Sequence, residues 1–295
     1  MKRITSMFLT LAMMLSLAAC GGDSTKTEGA TNTGSSTKTE TKKEMTFTEM
    51  VVVDNDECTI KITGLEENRK RDYTAKLLLE NKTADKTLMF AVDNETVDGV
   101  CFTALFAKDV AAGKKANAEI RIKSDDLKDY GVSEYTDIEL SFRVYDSNDW
   151  LADDVAKETV NIYPYGEENA VKFVRESRDT DNVIIDNENV TVIVTGYDKD
   201  GIWGYTVNLY LINKTDTGVM FCVDDASVNG YMVDPFYAKS VPAGKSAFSS
   251  MSWSNSALEE NEIEEIETIE FKFRAYDNEN WVNGDFANEI ITLIP

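Results

Sequence analysis

The stretch "FRVYDSNDW", Phe142–Trp150, returns as "FRAYDNENW", Phe273–Trp281, 131 positions later. The repetition extends outward in both directions. "DNDECTIKITG" from Asp54 matches "DNENVTVIVTG" from Asp186, and "YTAKLLLENKT" from Tyr73 matches "YTVNLYLINKT" from Tyr205, both at an offset of 132. One residue is then dropped. "LMFAVDNETVDG" from Leu88 matches "VMFCVDDASVNG" from Val219 at 131, and "VNIYP" ending at Pro164 matches "ITLIP" ending at Pro295. Each unit exceeds one hundred residues and is long enough to enclose a core of its own, so the pattern reads as a tandem duplication and not as a solenoid.

Apolar residues alternate with polar ones along each matched segment, the period of a half-buried strand. Ile138, Leu140, Phe142 and Val144 share one face, as do Ile269, Phe271, Phe273 and Ala275. Tyr73, Ala75, Leu77 and Leu79 do the same, with Tyr205, Val207, Leu209 and Leu211 as their copies. Short strands separated by turn residues predict an all-β chain of antiparallel sheets packed as sandwiches, with a closed barrel as the competing form. "SDDLKDYG", Ser124–Gly131, and "SNSALEENE", Ser254–Glu262, each predict one short helix, with Ser124 as a cap and Gly131 as a stop.

The N-terminus has a different character. Lys2 and Arg3 precede an apolar run, Met7–Ala19, that is too short for a permanent transmembrane helix and reads as a signal segment. It closes on "LAAC", Leu17–Cys20, which resembles the lipobox of bacterial lipoproteins. That resemblance implies diacylation of Cys20 and an anchored chain, since two acyl chains hold a membrane stably. Residues 20–45, rich in Gly, Ser, Thr, Lys and Glu, read as a disordered tether. The expected organisation is a signal over 1–19, the tether over 20–45, a first repeat over 46–164, a linker over 165–182 and a second repeat over 183–295. The middle of the linker, Val171–Val174, is expected to pack on a neighbour. The expected location is the extracellular face of a cell membrane.

The formal net charge is −23, and both repeats are acidic, −10 over 46–164 and −15 over 165–295. Nucleic acid and anionic headgroups are therefore disfavoured as partners. Cys58, Cys101 and Cys222 remain after Cys20, and their counterparts in the other repeat are Val190, Met232 and Ala91. Apolar counterparts favour buried thiols, although an oxidising compartment permits a Cys58–Cys101 bridge.

Taken together, the Asn-Lys-Thr turn, "SVNGYMV" at Ser227–Val233, "VPAGKSA" at Val241–Ala247 and "IEFKFRAYD" at Ile269–Asp277 resemble telokin-like, immunoglobulin-like domains. Such domains recur on lipoproteins of Gram-positive bacteria and in a mycobacterial secreted antigen family. The resemblance implies two tandem immunoglobulin-like β-sandwiches in an extracellular setting and no particular activity.

Candidate chemistry is sparse. The chain has no histidine, so Ser-His and Cys-His arrangements are excluded, and no enzyme is expected. "GKS" at Gly244–Ser246 lacks the upstream glycine of a phosphate loop. The loops after the opening motif gather oxygen ligands suited to calcium: Asp146, Asp149 and Asp153 in one, Asp277, Glu279 and Asp285 in its copy. Asp and Asn also favour turns for local reasons. No other cofactor is implied. Arg143 and Tyr145, with Arg274 and Tyr276, lie on the face opposite the core. Each arginine is placed to stack on its tyrosine and bridge a carboxylate of the next strand. The sharper alternative is a binding face formed with Trp150 and Trp281 for a protein, a peptide or an envelope polymer. Both tryptophans are expected to cap the end of the core. Function then divides into a non-catalytic binding or adhesion module, a spacer without ligand, and a carboxylate-dependent hydrolase with two acids facing across a cleft. Exposed aromatic area near the Arg-Tyr face would favour binding, and a uniformly polar surface the spacer.

Overall fold

The computed structural model describes residues 44–68, 72–123 and 125–295. The signal segment, Cys20, the tether to residue 43 and the Ser124 cap lie outside the described residues. In the first repeat the strands are β1 (Met50–Asp54), β2 (Cys58–Glu67), β3 (Tyr73–Asn81), β4 (Leu88–Val97), β5 (Val100–Phe102), β6 (Ala107–Val110), β7 (Lys115–Ile122), β8 (Ile138–Asp146) and β9 (Ala156–Ile162). In the second they are β10 (Asn182–Asp186), β11 (Val190–Asp198), β12 (Tyr205–Asn213), β13 (Val219–Val228), β14 (Tyr231–Met232), β15 (Ala238–Val241), β16 (Ser246–Trp253), β17 (Ile269–Asp277) and β18 (Asp285–Leu293). Helix α1 (Asp125–Lys128) precedes β8, and α2 (Asn255–Glu260) precedes β17.

The two sets pair alike. Cys58 faces Asn81 as Val190 faces Asn213, Leu88 faces Asp146 as Val219 faces Asp277, and Ile138 faces Ile162 as Ile269 faces Leu293. Bulges recur at the same places, between Val51 and Val53 and between Val183 and Ile185. The sheets run β1-β2-β3-β7; then β10-β11-β12-β16-β5-β4-β8-β9 with β6 on β4; then β14-β13-β17-β18 with β15 on β13. None closes on itself, so the barrel is not formed.

Two separate apolar clusters result. One draws its buried residues from 53–162 and the other from 185–293. The alternation expected of the strands is obeyed: Phe142, Val144, Phe273 and Ala275 are at most 1% exposed. Each helix carries the chain from one sheet to the next. Helix α1 is one turn followed by Gly131 at φ 88°, and α2 is capped by Ser254, whose Oγ accepts from the amide of Ala257 at 3.2 Å.

Most of the repeated turn motifs have a structural role. Asn81, 1% exposed, donates to the carbonyls of Lys86 and Val110 at 2.8 and 2.7 Å and accepts from the amide and hydroxyl of Thr83. Asn213 repeats this with Thr217, Val241, Pro242 and Thr215. Lys82 bridges Asp54 at 2.6 Å and Lys214 bridges Asp186 at 2.7 Å. The two asparagines satisfy buried backbone groups where two sheets meet, while the lysine pairs lie at the surface.

The repeats are joined, and the described chain packs as one compact unit. Ser246 of β16 pairs in parallel with Val100 of β5, and its amide donates to the Gly99 carbonyl at 3.0 Å. Lys245 bridges Glu139 at 2.7 Å. Phe248 stacks on Tyr130, ring centroids 3.9 Å apart, and touches Phe173 and Tyr210. Within the linker, Phe173 packs against the first core, whereas Val171 and Val174 are exposed. The buried Arg175–Asp181 pair pins its later part.

Candidate binding surface

The carboxylates of Asp146 and Asp277 end β8 and β17 and fix the path of the loops beyond them. Asp146 accepts from the amide of Asn148 at 2.9 Å, and Asp277 accepts from the amides of Glu279 and Asn280 at 2.8 and 3.0 Å. These side-chain turns stop the strand and swing the next residues away from the sheet. The backbone amides hold the Asp277 carboxyl below its ordinary value. In the first loop Asp149 and Ala152 close further turns on Asp146 and Asp149. In the second, the Asn278 amide donates to Gly218 and its side chain to Ser240.

The residues projected by these turns are apolar. Trp150 is 64% and Leu151 77% exposed; Trp281 is 68% and Val282 74% exposed. This corrects the expectation that the tryptophans cap the core. The strand alternation that would have aimed them inward ends at the aspartate turn, before either tryptophan is reached.

Behind each loop lies the Arg-Tyr pair. The Arg143 guanidinium sits 4.6 Å from the Tyr145 ring centre and its Nε donates to Asp154 at 2.7 Å. Arg274 sits 5.2 Å from the Tyr276 ring, donates through Nε and a terminal nitrogen to Asp285 at 2.9 and 3.0 Å, and reaches Asp224 at 3.2 Å. The arginine holds the Asp285 carboxyl below its ordinary value, and the carboxylates hold both arginines up. The stacking and the carboxylate bridge expected of each pair are therefore both present. Both pairs are half-buried and tied to carboxylates, each on the strand that leads into a tryptophan loop. Glu279 approaches Lys157, which faces Arg143 across β8 and β9, at 3.9 Å. The second loop thus starts beside the face that carries Arg143.

The acidic loops use several of their carboxylates internally. Asp285 serves Arg274, while Asp146 and Asp277 serve amides; Asp149, Asp153 and Glu279 are exposed. Among the described residues, no group of three or more His, Cys, Asp or Glu converges to hold a metal ion. Cys58, Cys101 and Cys222 are free, so the Cys58–Cys101 bridge is not formed. Burial pushes the thiols of Cys58 and Cys101 up to about 11, which makes them inert.

Leu151 and Val282 were not singled out in the sequence, nor was the Ile202–Trp203 tip of the β11–β12 hairpin, where both side chains are largely exposed. The signal was present at that tip: "GIWG", Gly201–Gly204, places two large apolar residues inside a glycine-bounded turn. No described helix is long and apolar enough to cross a membrane.

No family model matches the chain, and no curated protein does. Among solved structures, a transglutaminase from red sea bream is 12% identical with a TM-score of 0.23, covering 83% of this chain and 31% of that one. The exo-chitosanase of Amycolatopsis orientalis is also 12% identical with a TM-score of 0.23, covering 78% of this chain and 26% of that one. The chain thus spans about a third or less of the length of each, and these likenesses carry no argument about activity.

Proposed function

We propose that the chain is a lipid-anchored extracellular binding protein of Gram-positive type, built from two tandem immunoglobulin-like β-sandwich domains. Cys20 carries the anchor, residues 20–45 form the tether, and the chemistry is recognition without catalysis. The partner is a protein, a peptide or a weakly charged envelope polymer such as a peptidoglycan fragment; the strong negative charge of both repeats argues against polyanions.

One observation carries the reading. Both repeats expose a tryptophan-aliphatic pair at the same position, on a loop whose turns are held by hydrogen bonds. An inert spacer needs no such area, and exposed tryptophan on an ordered support is the usual anchor of an interface. The duplicated pair also permits two-point attachment, which raises avidity without any new contact. The hydrolase alternative needs a second acid across a cleft. In the groove between the repeats, the second repeat contributes Lys239 and Ser240 to the lining.

The test is a screen of the full chain against peptidoglycan fragments and extracellular matrix proteins, read by tryptophan fluorescence. Three of the four tryptophans are exposed, with Trp253 buried, so engagement of the loops should shift and protect the emission. A panel that leaves acrylamide quenching unchanged throughout would contradict the reading.

A further inference from the structure

A groove of about 640 Å³ lies where the repeats meet, bordered at Ser240 by the second tryptophan loop, whose Asn278 side chain donates to that serine. One wall is β4, β5 and the segment after them; the other is β15 of the second repeat. Glu95 lines it and is only 8% exposed. The matching position in the second repeat is Ala226, fully buried in the second core. The copy therefore shows that this fold accepts a methyl group at the site. A carboxyl there works against burial, since desolvation disfavours its charge.

Little in the chain offsets that charge. Glu95 accepts from the backbone amide of Ala104 and feels Lys239 at longer range, with no ion pair to it among the described residues. Burial, opposed by those two, pushes its carboxyl up to about 7, and Asp93 adds to the push. Around it stand Cys101, Phe106 and Leu105, the last 92% exposed. The groove thus combines an unbalanced acid, an apolar wall and a second acid, in a molecule whose overall field attracts cations.

We propose that this groove binds an organic cation, a guanidinium or alkylammonium head on Glu95 with its carbon chain along Leu105 and Phe106. The head is that of a free polyamine or of a basic side chain on a peptide. Neither Trp150 nor Trp281 lines this groove, so failure of the assignment would leave the tryptophan reading untouched. Lys239 competes with the ligand for the same acid.

The test uses the full chain, with agmatine and N-acetyl-leucyl-arginine amide as probes and a neutral trisaccharide as control. Carboxyl NMR of Glu95 and titration calorimetry are the readouts. Agmatine should lower the Glu95 midpoint, and its affinity should rise roughly tenfold from about pH 6 to about pH 8, as the acid ionises. Glu95→Ala installs the residue of the copy and should weaken binding at least about tenfold without loss of fold, with Glu95→Gln as a second, near-isosteric variant. Lys239→Met should tighten it by about threefold or more, an effect a merely structural lysine would not give. A peptide that binds more than about tenfold tighter than agmatine identifies a protein source; equal affinities identify the free cation. Binding that ignores pH and Glu95→Ala, no binding at about 10 mM probe, or capture of the trisaccharide in place of the cations would each overturn the assignment.

Discussion

Replacing Glu95 with Ala should abolish a loss of stability that the wild-type protein suffers as pH rises toward neutrality, and leave the variant at least as stable as wild type above it. The folded state holds this carboxyl near 7, against an ordinary value of 4.5. Between those two pH values the folded chain keeps a proton that the unfolded chain releases. Stability is therefore lost as pH rises through this window and reaches its floor above about 7. A carboxyl moved from 4.5 to about 7 corresponds to roughly 3 kcal/mol at about 1.36 kcal/mol per pH unit. The groove admits water, which screens the charge and reduces the expected penalty to about 1–2 kcal/mol. Loss of the Ala104 amide partner costs about 1 kcal/mol at every pH. Glu95→Ala should thus be about 1 kcal/mol less stable than wild type near pH 4 and equal to or up to about 1 kcal/mol more stable than wild type near pH 8. Urea unfolding followed by circular dichroism at both pH values, in matched salt, supplies the difference. If wild type and variant show parallel pH dependence across this window, Glu95 is not held protonated by burial and the reasoning fails.

The same geometry sets further expected outcomes. Asn213→Ala removes the side-chain donor shared by the carbonyls of Thr217, Val241 and Pro242, of which Thr217 and Pro242 keep second donors in Thr215 and Lys245, and should cost about 2–4 kcal/mol in urea unfolding; a cost below about 0.5 kcal/mol would contradict the role of the Asn-Lys-Thr turn. Cys20→Ala should move the protein from the membrane fraction to the medium, and retention would refute lipidation. Millimolar calcium should leave the melting temperature unchanged, because several loop carboxylates already serve arginine and amide donors; a rise of several degrees would restore the metal site.

The strand pattern was legible because both faces of most strands obey simple alternation, and because every strand was written twice. The turns were legible as motifs, but their purpose was not. Nothing in "NKT" says that the asparagine is buried and the lysine is not. The joint between the repeats could not be read from the duplication. Phe248 and Tyr130 build it, and their counterparts, Asn117 and Asn261, are polar. Positions that differ between the repeats, Glu95 against Ala226 among them, leave no mark in a duplication pattern. The tryptophans were misplaced because alternation was carried past Asp146 and Asp277, where side-chain hydrogen bonds to the backbone end the strand. The linker prediction succeeded for Phe173, which finds the first core, and failed for its valine neighbours, which face solvent.

The measurement that bears most directly on the whole account is a paired one. Wild type and the Trp150→Ala/Trp281→Ala double variant are screened side by side for binding, with the melting temperature of each recorded. Both tryptophans are largely solvent-exposed, so the variant should melt within about 2 °C of wild type. The account predicts that a partner retained by wild type is lost by the variant by at least about a hundredfold in affinity, with each single variant intermediate. Equal binding by wild type and the double variant would show that these loops are not where the protein meets its partner.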